Sequence, residues 1–135
     1  TVALDATTGE RLWSTQEGAM SPVWVAGNDV FLVSDMNQIV RVSAETGEKI
    51  WAQDLPLFVK SRPRRQKEVY AHYGPVLAGN RLIVASGDGP LRSFDPASGD
   101  LISQVDIPGG AASNPVIAGR TLYVLSARGQ LLAFR

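Results

Sequence analysis

Short runs of β-branched, aliphatic and aromatic residues recur along the chain, each closed by a small polar turn. Val30-Phe31-Leu32-Val33-Ser34, Leu82-Ile83-Val84-Ala85-Ser86 and Leu122-Tyr123-Val124-Leu125-Ser126 are three such runs, and each reads as a strand. A second series precedes them: Pro22-Val23-Trp24-Val25-Ala26-Gly27-Asn28, Pro75-Val76-Leu77-Ala78-Gly79-Asn80 and Pro115-Val116-Ile117-Ala118-Gly119-Arg120. Its first copy carries one extra residue, expected to form a β-bulge. A third series begins four residues after each serine, as Gln38-Ile39-Val40-Arg41-Val42, Pro90-Leu91-Arg92-Ser93-Phe94 and Gln130-Leu131-Leu132-Ala133-Phe134. The fourth is the Trp-bearing segment Glu48-Lys49-Ile50-Trp51-Ala52 and its relatives. No stretch carries a 3.6-residue apolar stripe.

The connections have the chemistry of tight turns. Ala-Gly-Asn and Ala-Gly-Arg join the first and second segments, where glycine takes the positive φ of a hairpin without steric cost. Asp5-Ala6-Thr7-Thr8-Gly9, Ser43-Ala44-Glu45-Thr46-Gly47 and Asp95-Pro96-Ala97-Ser98-Gly99 join the third to the fourth, with an Asp or Ser placed to bond a backbone N–H two residues on. The chain is therefore all-β, built from four-stranded antiparallel units of about 40 residues, the size of a propeller blade. The pattern predicts thirteen strands in one partial propeller: the end of a blade over 1–18, a blade over 19–56, an inserted loop over 57–73, a blade over 74–108 and an incomplete last blade over 109–135.

The segment from Ala3 to Trp13 fits Ala-x-Asp-x-x-Thr-Gly-x-x-x-Trp at every fixed position. It resembles the tryptophan-docking repeat of quinoprotein-type (PQQ-like) β-propellers. The resemblance implies that Trp13 and Trp51 pack between neighbouring blades, and that Asp5, Thr8, Gly9, Thr46, Gly47, Asp95 and Gly99 shape the turn before each outermost strand. Arg41 and Ser43 stand where the motif has Ala and Asp, and Ser103 stands in the Trp position. Trp24 lies on an innermost strand, facing either the axis or a neighbouring blade.

Two branches of that family differ in function. The catalytic branch holds a PQQ cofactor near the axis with a calcium ion, a catalytic Asp and a disulfide between adjacent cysteines. This chain has no cysteine, and its carboxylates sit mostly in turns (Asp5, Glu45, Asp95) or at strand starts (Glu10, Glu48, Asp100). The other branch resembles the propeller lipoproteins of the outer-membrane β-barrel assembly machinery, whose chain ends after the third strand of a blade. Residues 128–135 fill such a strand. The resemblance then implies a non-catalytic scaffold at the periplasmic face of the bacterial outer membrane, without cofactor or metal. Its expected partner is the assembly machinery or an unfolded outer-membrane protein. The chain is expected to be the C-terminal part of a longer protein, anchored only through lipid on an absent N-terminal part. Because thirteen strands cannot close a ring, self-association is also expected, for example three blades per chain and six per ring. The alternative is a fragment of a periplasmic quinoprotein dehydrogenase or cofactor-binding sensor.

Charge balance fits a protein partner. Thirteen Lys and Arg face thirteen Asp and Glu, so no global field draws the chain to nucleic acid or a membrane. The imbalance is local. Five basic residues and one acid fall within residues 57–73, leaving eight bases against twelve acids elsewhere. This segment interrupts the repeat by about 12 residues. Function concentrates on loops held by a rigid scaffold, and one reading makes this a docking loop. Lys60, Arg62, Arg64 and Arg65 would then pair with partner carboxylates, and Phe58, Tyr70 and Tyr73 would anchor. The other reading is a solvated hairpin with aromatics tucked against the blade top. Elsewhere chemistry is sparse. His72 is the single histidine, Gly87-Asp88-Gly89 aligns with the other hairpin turns rather than with a phosphate loop, and the serines at 34, 86 and 126 recur by position, which marks structure.

Overall fold

A strand that is apolar on both sides needs cover on both sides. In the computed structural model, which describes residues 1–135, thirteen strands form four antiparallel sheets, each a meander in chain order. The first sheet holds β1 (Val2–Leu4) and β2 (Arg11–Ser14). The second holds β3 (Trp24–Ala26), β4 (Asp29–Val33), β5 (Gln38–Ser43) and β6 (Lys49–Asp54). The third holds β7 (His72–Ala78), β8 (Arg81–Ser86), β9 (Pro90–Phe94) and β10 (Leu101–Asp106). The fourth holds β11 (Val116–Ala118), β12 (Thr121–Leu125) and β13 (Leu131–Phe134).

Register aligns the copies. Trp24, Val76 and Val116 pair with Phe31, Ile83 and Tyr123, so the extra residue of the first copy makes no bulge in β3. It lies ahead of the strand, where no hydrogen-bond ladder has to absorb it. A bulge falls instead in β7, between Tyr73 and Val76. Strand β7 starts at His72, so the last two residues of the segment predicted as inserted loop belong to the third sheet.

The backbones of the second and third sheets approach at β3, β4 and β7, and the sheets fan out towards β6 and β10. Each seam is thus a wedge, narrow inside and wide outside. Aliphatic and phenyl groups fill the narrow part. Phe31, Val33 and Ile39 meet Leu82, Val84 and Phe94, none more than 2% exposed. Val30, Leu32, Val40 and Val42 use the other face of the second sheet against Trp13. Central strand β4 is therefore buried on both faces, which is why its sequence does not alternate. Trp24 packs on the clusters of the second–third and third–fourth seams, so it serves neighbouring sheets.

Indoles fill the wide part. Trp13 lies across Gly47 and donates its Nε1–H to the Ala44 carbonyl at 2.8 Å; Trp51 lies across Gly99 and donates to the Pro96 carbonyl at 3.2 Å. A Cβ on Gly47 would sit 2.6 Å from the Trp13 ring. Each copy of the turn is rigid, including the first, which has no indole against it. Asp5 Oδ1 accepts the N–H groups of Thr7 and Thr8, each at 2.8 Å. Those bonds, Thr8 first, hold the Asp5 carboxyl below its ordinary range. Asp95 and Ser43 make the same pair of contacts in their own turns. Arg41, which replaces the motif's Ala, adds a second tie across the seam. It is bidentate to Asp29 at 2.8 and 2.9 Å and reaches the Ala97 carbonyl at 3.2 Å.

At both ends of the fan, apolar side chains face outward with no sheet of this chain over them: Val2, Leu4 and Leu12 in the first sheet, Val116, Leu125 and Leu131 in the fourth.

The dock can be weighed by an internal control. Gly9 and Gly47 share φ 74°, but only Gly47 has an indole against it. Gly9→Ala and Gly47→Ala therefore carry the same backbone strain, and Gly47→Ala is expected to cost about 1–3 kcal/mol more in chemical denaturation. Trp13→Ala and Trp51→Ala should each cost about 3 kcal/mol. An unchanged unfolding midpoint in either Trp variant would contradict the docking role.

Candidate functional site: a clamped rim hairpin

Between β6 and β7 the chain leaves the sheet and folds back on itself. Phe58 bridges Val69, the Tyr70 N–H donates to the Leu57 carbonyl at 2.9 Å, and the Val59 N–H donates to the Glu68 carbonyl at 3.0 Å. A single 3-10 turn, Pro63–Arg65, forms the tip. Proline suits its first position, where no N–H is needed. Lys60, Arg62, Arg64, Arg65 and Lys67 are all exposed here. None is in an ion pair; the chain's three salt bridges are Arg41–Asp29, Lys49–Glu17 and Arg92–Asp88.

Three departures from the repeat hold the base of this hairpin. The first is His72. In the neighbouring units Ala19 and Ala111 bridge Ser34 and Ser126, whereas here His72 pairs with Ser86. Its Nε2 lies 2.7 Å from the Pro56 carbonyl and its Nδ1 lies 2.8 Å from the Ser86 hydroxyl. A carbonyl only accepts, so Nε2 carries the hydrogen and Nδ1 accepts from Ser86. The second departure changes the bonding of that serine. Ser34 and Ser126 each accept an N–H, from Gln38 and Gln130 at 3.2 Å. At the matching position stands Pro90, which has no N–H, so the Ser86 hydroxyl keeps only its donated bond to His72.

The third departure is Asn37. Its backbone takes a positive φ of 54°, where Gly89 and Gly129 stand in the sister turns. Its side-chain amide donates to Pro56 at 3.2 Å and to Tyr70 at 2.9 Å, joining the two legs of the hairpin. Asn37 and Ser86 are not among the residues predicted from sequence. The signal is present there as an Asn where the other copies have Gly, and a Pro where they have Gln.

His72 is 5% exposed, on a strand and not on a mobile loop, and it lines the cleft at the hairpin base with both ring nitrogens already engaged. Burial holds its imidazolium below the ordinary value of 6.5; the Pro56 carbonyl and Asp88 oppose this, and Arg92 adds to it. Arg92 is itself neutralised by Asp88 through bonds of 2.8 and 2.6 Å.

The predicted partner-binding residues separate into two groups. Lys60, Arg62, Arg64 and Arg65 gather at the hairpin tip, and Phe58 lies on the stem, 39% exposed. Tyr70 and Tyr73 instead line a cleft at the hairpin base, and Tyr73 also packs on the core between the third and fourth sheets. The calcium implied for the catalytic branch finds no donor set here, since no three carboxylate or imidazole groups converge. The residues do not fit that group.

A family model described as outer membrane protein assembly factor BamB matches residues 64–135. The chain is similar to the BamB proteins of Shewanella oneidensis, with 24% identity over 96% of this chain, and of Legionella pneumophila, with 22% identity over 96%. It spans 30% and 31% of their respective lengths. Its backbone is similar to the crystal structure of BamB from Moraxella catarrhalis, with a TM-score of 0.71, 20% identity, and coverage of 98% of this chain and 39% of that one. This likeness fixes the fold as part of a β-propeller of the same kind. With the match covering more than half of its residues, the chain belongs to the PQQ-like propeller family of the outer membrane protein assembly factor BamB.

Proposed function

We propose that this chain is a non-catalytic propeller scaffold in outer-membrane protein assembly, working at the periplasmic face and binding a protein partner through the rim hairpin. The observation that carries the docking role is the hairpin itself, which presents five unpaired cations on a clamped stem. Family membership supports the setting. Exposed, unpaired arginines contribute little to a fold, whereas planar guanidinium groups suit bidentate pairing with a partner's carboxylates. No PQQ or calcium role is proposed. The uncovered apolar faces of the first and fourth sheets support self-association of this chain when it is alone, and light scattering of a monodisperse monomer would overturn that part.

Charge reversal at the tip tests the docking role. Arg62→Glu, Arg64→Glu and Arg65→Glu together should leave the melting temperature unchanged. They should lower capture of assembly components from solubilised outer membranes at least tenfold, as identified by mass spectrometry. Undiminished capture would rule the hairpin out.

The clamp sets a pH dependence. The unfolded chain takes up a proton at His72 near the ordinary 6.5, while the folded ring resists it. The stability from this site is therefore complete above that value and declines as pH falls below it, levelling off once the folded ring is protonated too. His72→Ala, which installs the residue of the sister units, should cost about 1–2 kcal/mol at neutral pH and flatten the dependence between about pH 7 and about pH 5. Parallel denaturation curves for both proteins across that range would contradict the assignment.

A further inference from the structure

Beneath the hairpin lies an open cleft of about 450 Å³. Met20, Val69, Tyr70 and Tyr73 line it, together with a sliver of Val33, which is 2% exposed. Met20 is 83% exposed and Val69 58%, so no segment of the chain covers them. The charges around the cleft are unequal. Asp35 lines the cleft, while the unpaired cations lie beyond it along the hairpin. Such an arrangement orients an acidic chain, repelling carboxylates from the cleft and gathering them at the tip. Arg65 is five residues from Tyr70 along one leg, and the turn closed by the Lys67 N–H on the Arg65 carbonyl makes the span shorter than the roughly 17 Å of a fully extended stretch. A segment of at most about five extended residues spans that distance.

Resting on the docking role above, we propose that the cleft and the hairpin form one peptide site. Its ligand is an extended acidic segment of a partner protein. One aromatic or large aliphatic side chain seats between Met20, Tyr70 and Tyr73, and the adjoining carboxylates run outward to Arg62, Arg64 and Arg65. The apolar group supplies the anchor and the charges supply direction, a division common to peptide sites. A flat anionic bilayer fits less well, because a carboxylate, Asp35, lines the cleft beside the apolar groups.

The test uses a fluorescein-labelled peptide with four consecutive glutamates followed by a phenylalanine and a leucine, and reads polarisation at low and moderate salt. The intact chain is expected to bind, more weakly as salt rises. Reversal of Arg62, Arg64 and Arg65 should weaken binding at least tenfold, and Met20→Asp, at an exposed position, at least fivefold. Replacing the peptide's phenylalanine and leucine by serine should weaken binding to the unaltered protein by a similar factor, which tests the cleft without altering the fold. Sensitivity to the arginines but to neither apolar change would overturn the proposal and leave the docking hairpin standing. Absence of binding, with outer-membrane capture still dependent on the arginines, would do the same. Binding to phosphatidylglycerol vesicles in place of the peptide would overturn it in favour of a membrane surface.

Discussion

Everything in this fold depends on covering sheets that are apolar on both faces. A sandwich solves that problem once, with two sheets and two polar outsides; a fan of sheets has to solve it at every seam. Fanning leaves a wedge that widens outward, and side chains of equal size cannot fill it. Valine and leucine near the axis and an indole at the rim match the taper. The glycine beneath each indole does two things that no other residue can combine, since its backbone is left-handed and its missing Cβ leaves a flat seat. Arg41 shows that a departure from the motif need not weaken the seam. Where the repeat has alanine, the guanidinium reaches from Asp29 to the next turn's carbonyls and joins two sheets the motif leaves to the indole alone.

Local deviations from the repeat coincide around the hairpin. Histidine replaces alanine, proline replaces glutamine and asparagine replaces glycine, at sites far apart in sequence that converge on the Pro56 carbonyl and its surroundings. Each change is readable only beside the others. Pro90 removes an N–H that Ser86 would otherwise accept, and the hydroxyl is left with the imidazole as its one side-chain partner. A sequence that breaks its own pattern at one place has a reason located there, and the reason is the insertion between β6 and β7.

Much of this architecture is legible in the chain itself. Apolar runs and Gly-bearing turns mark the strands, since those depend on residues near one another. Ser103 in the Trp position is visible from the same alignment of copies. The misplaced features depend on pairing across sheets. His72-Tyr73 reads as loop because the repeated segment it precedes begins at Pro75, yet β8 pairs with both. The extra residue near Trp24 reads as a bulge because sequence does not show where the ladder begins. The contact from Asn37 to Tyr70 spans 33 positions, and no local pattern contains it.

The clamp also determines how force passes through the molecule. Its three side chains come from two sheets, Asn37 from the second and His72 and Ser86 from the third, and they grip the segment that links those sheets. A pull on the hairpin would therefore load both sheets at once, instead of peeling β6 or β7 from one edge. That load falls on the seam that Trp51 and Arg41 also bridge.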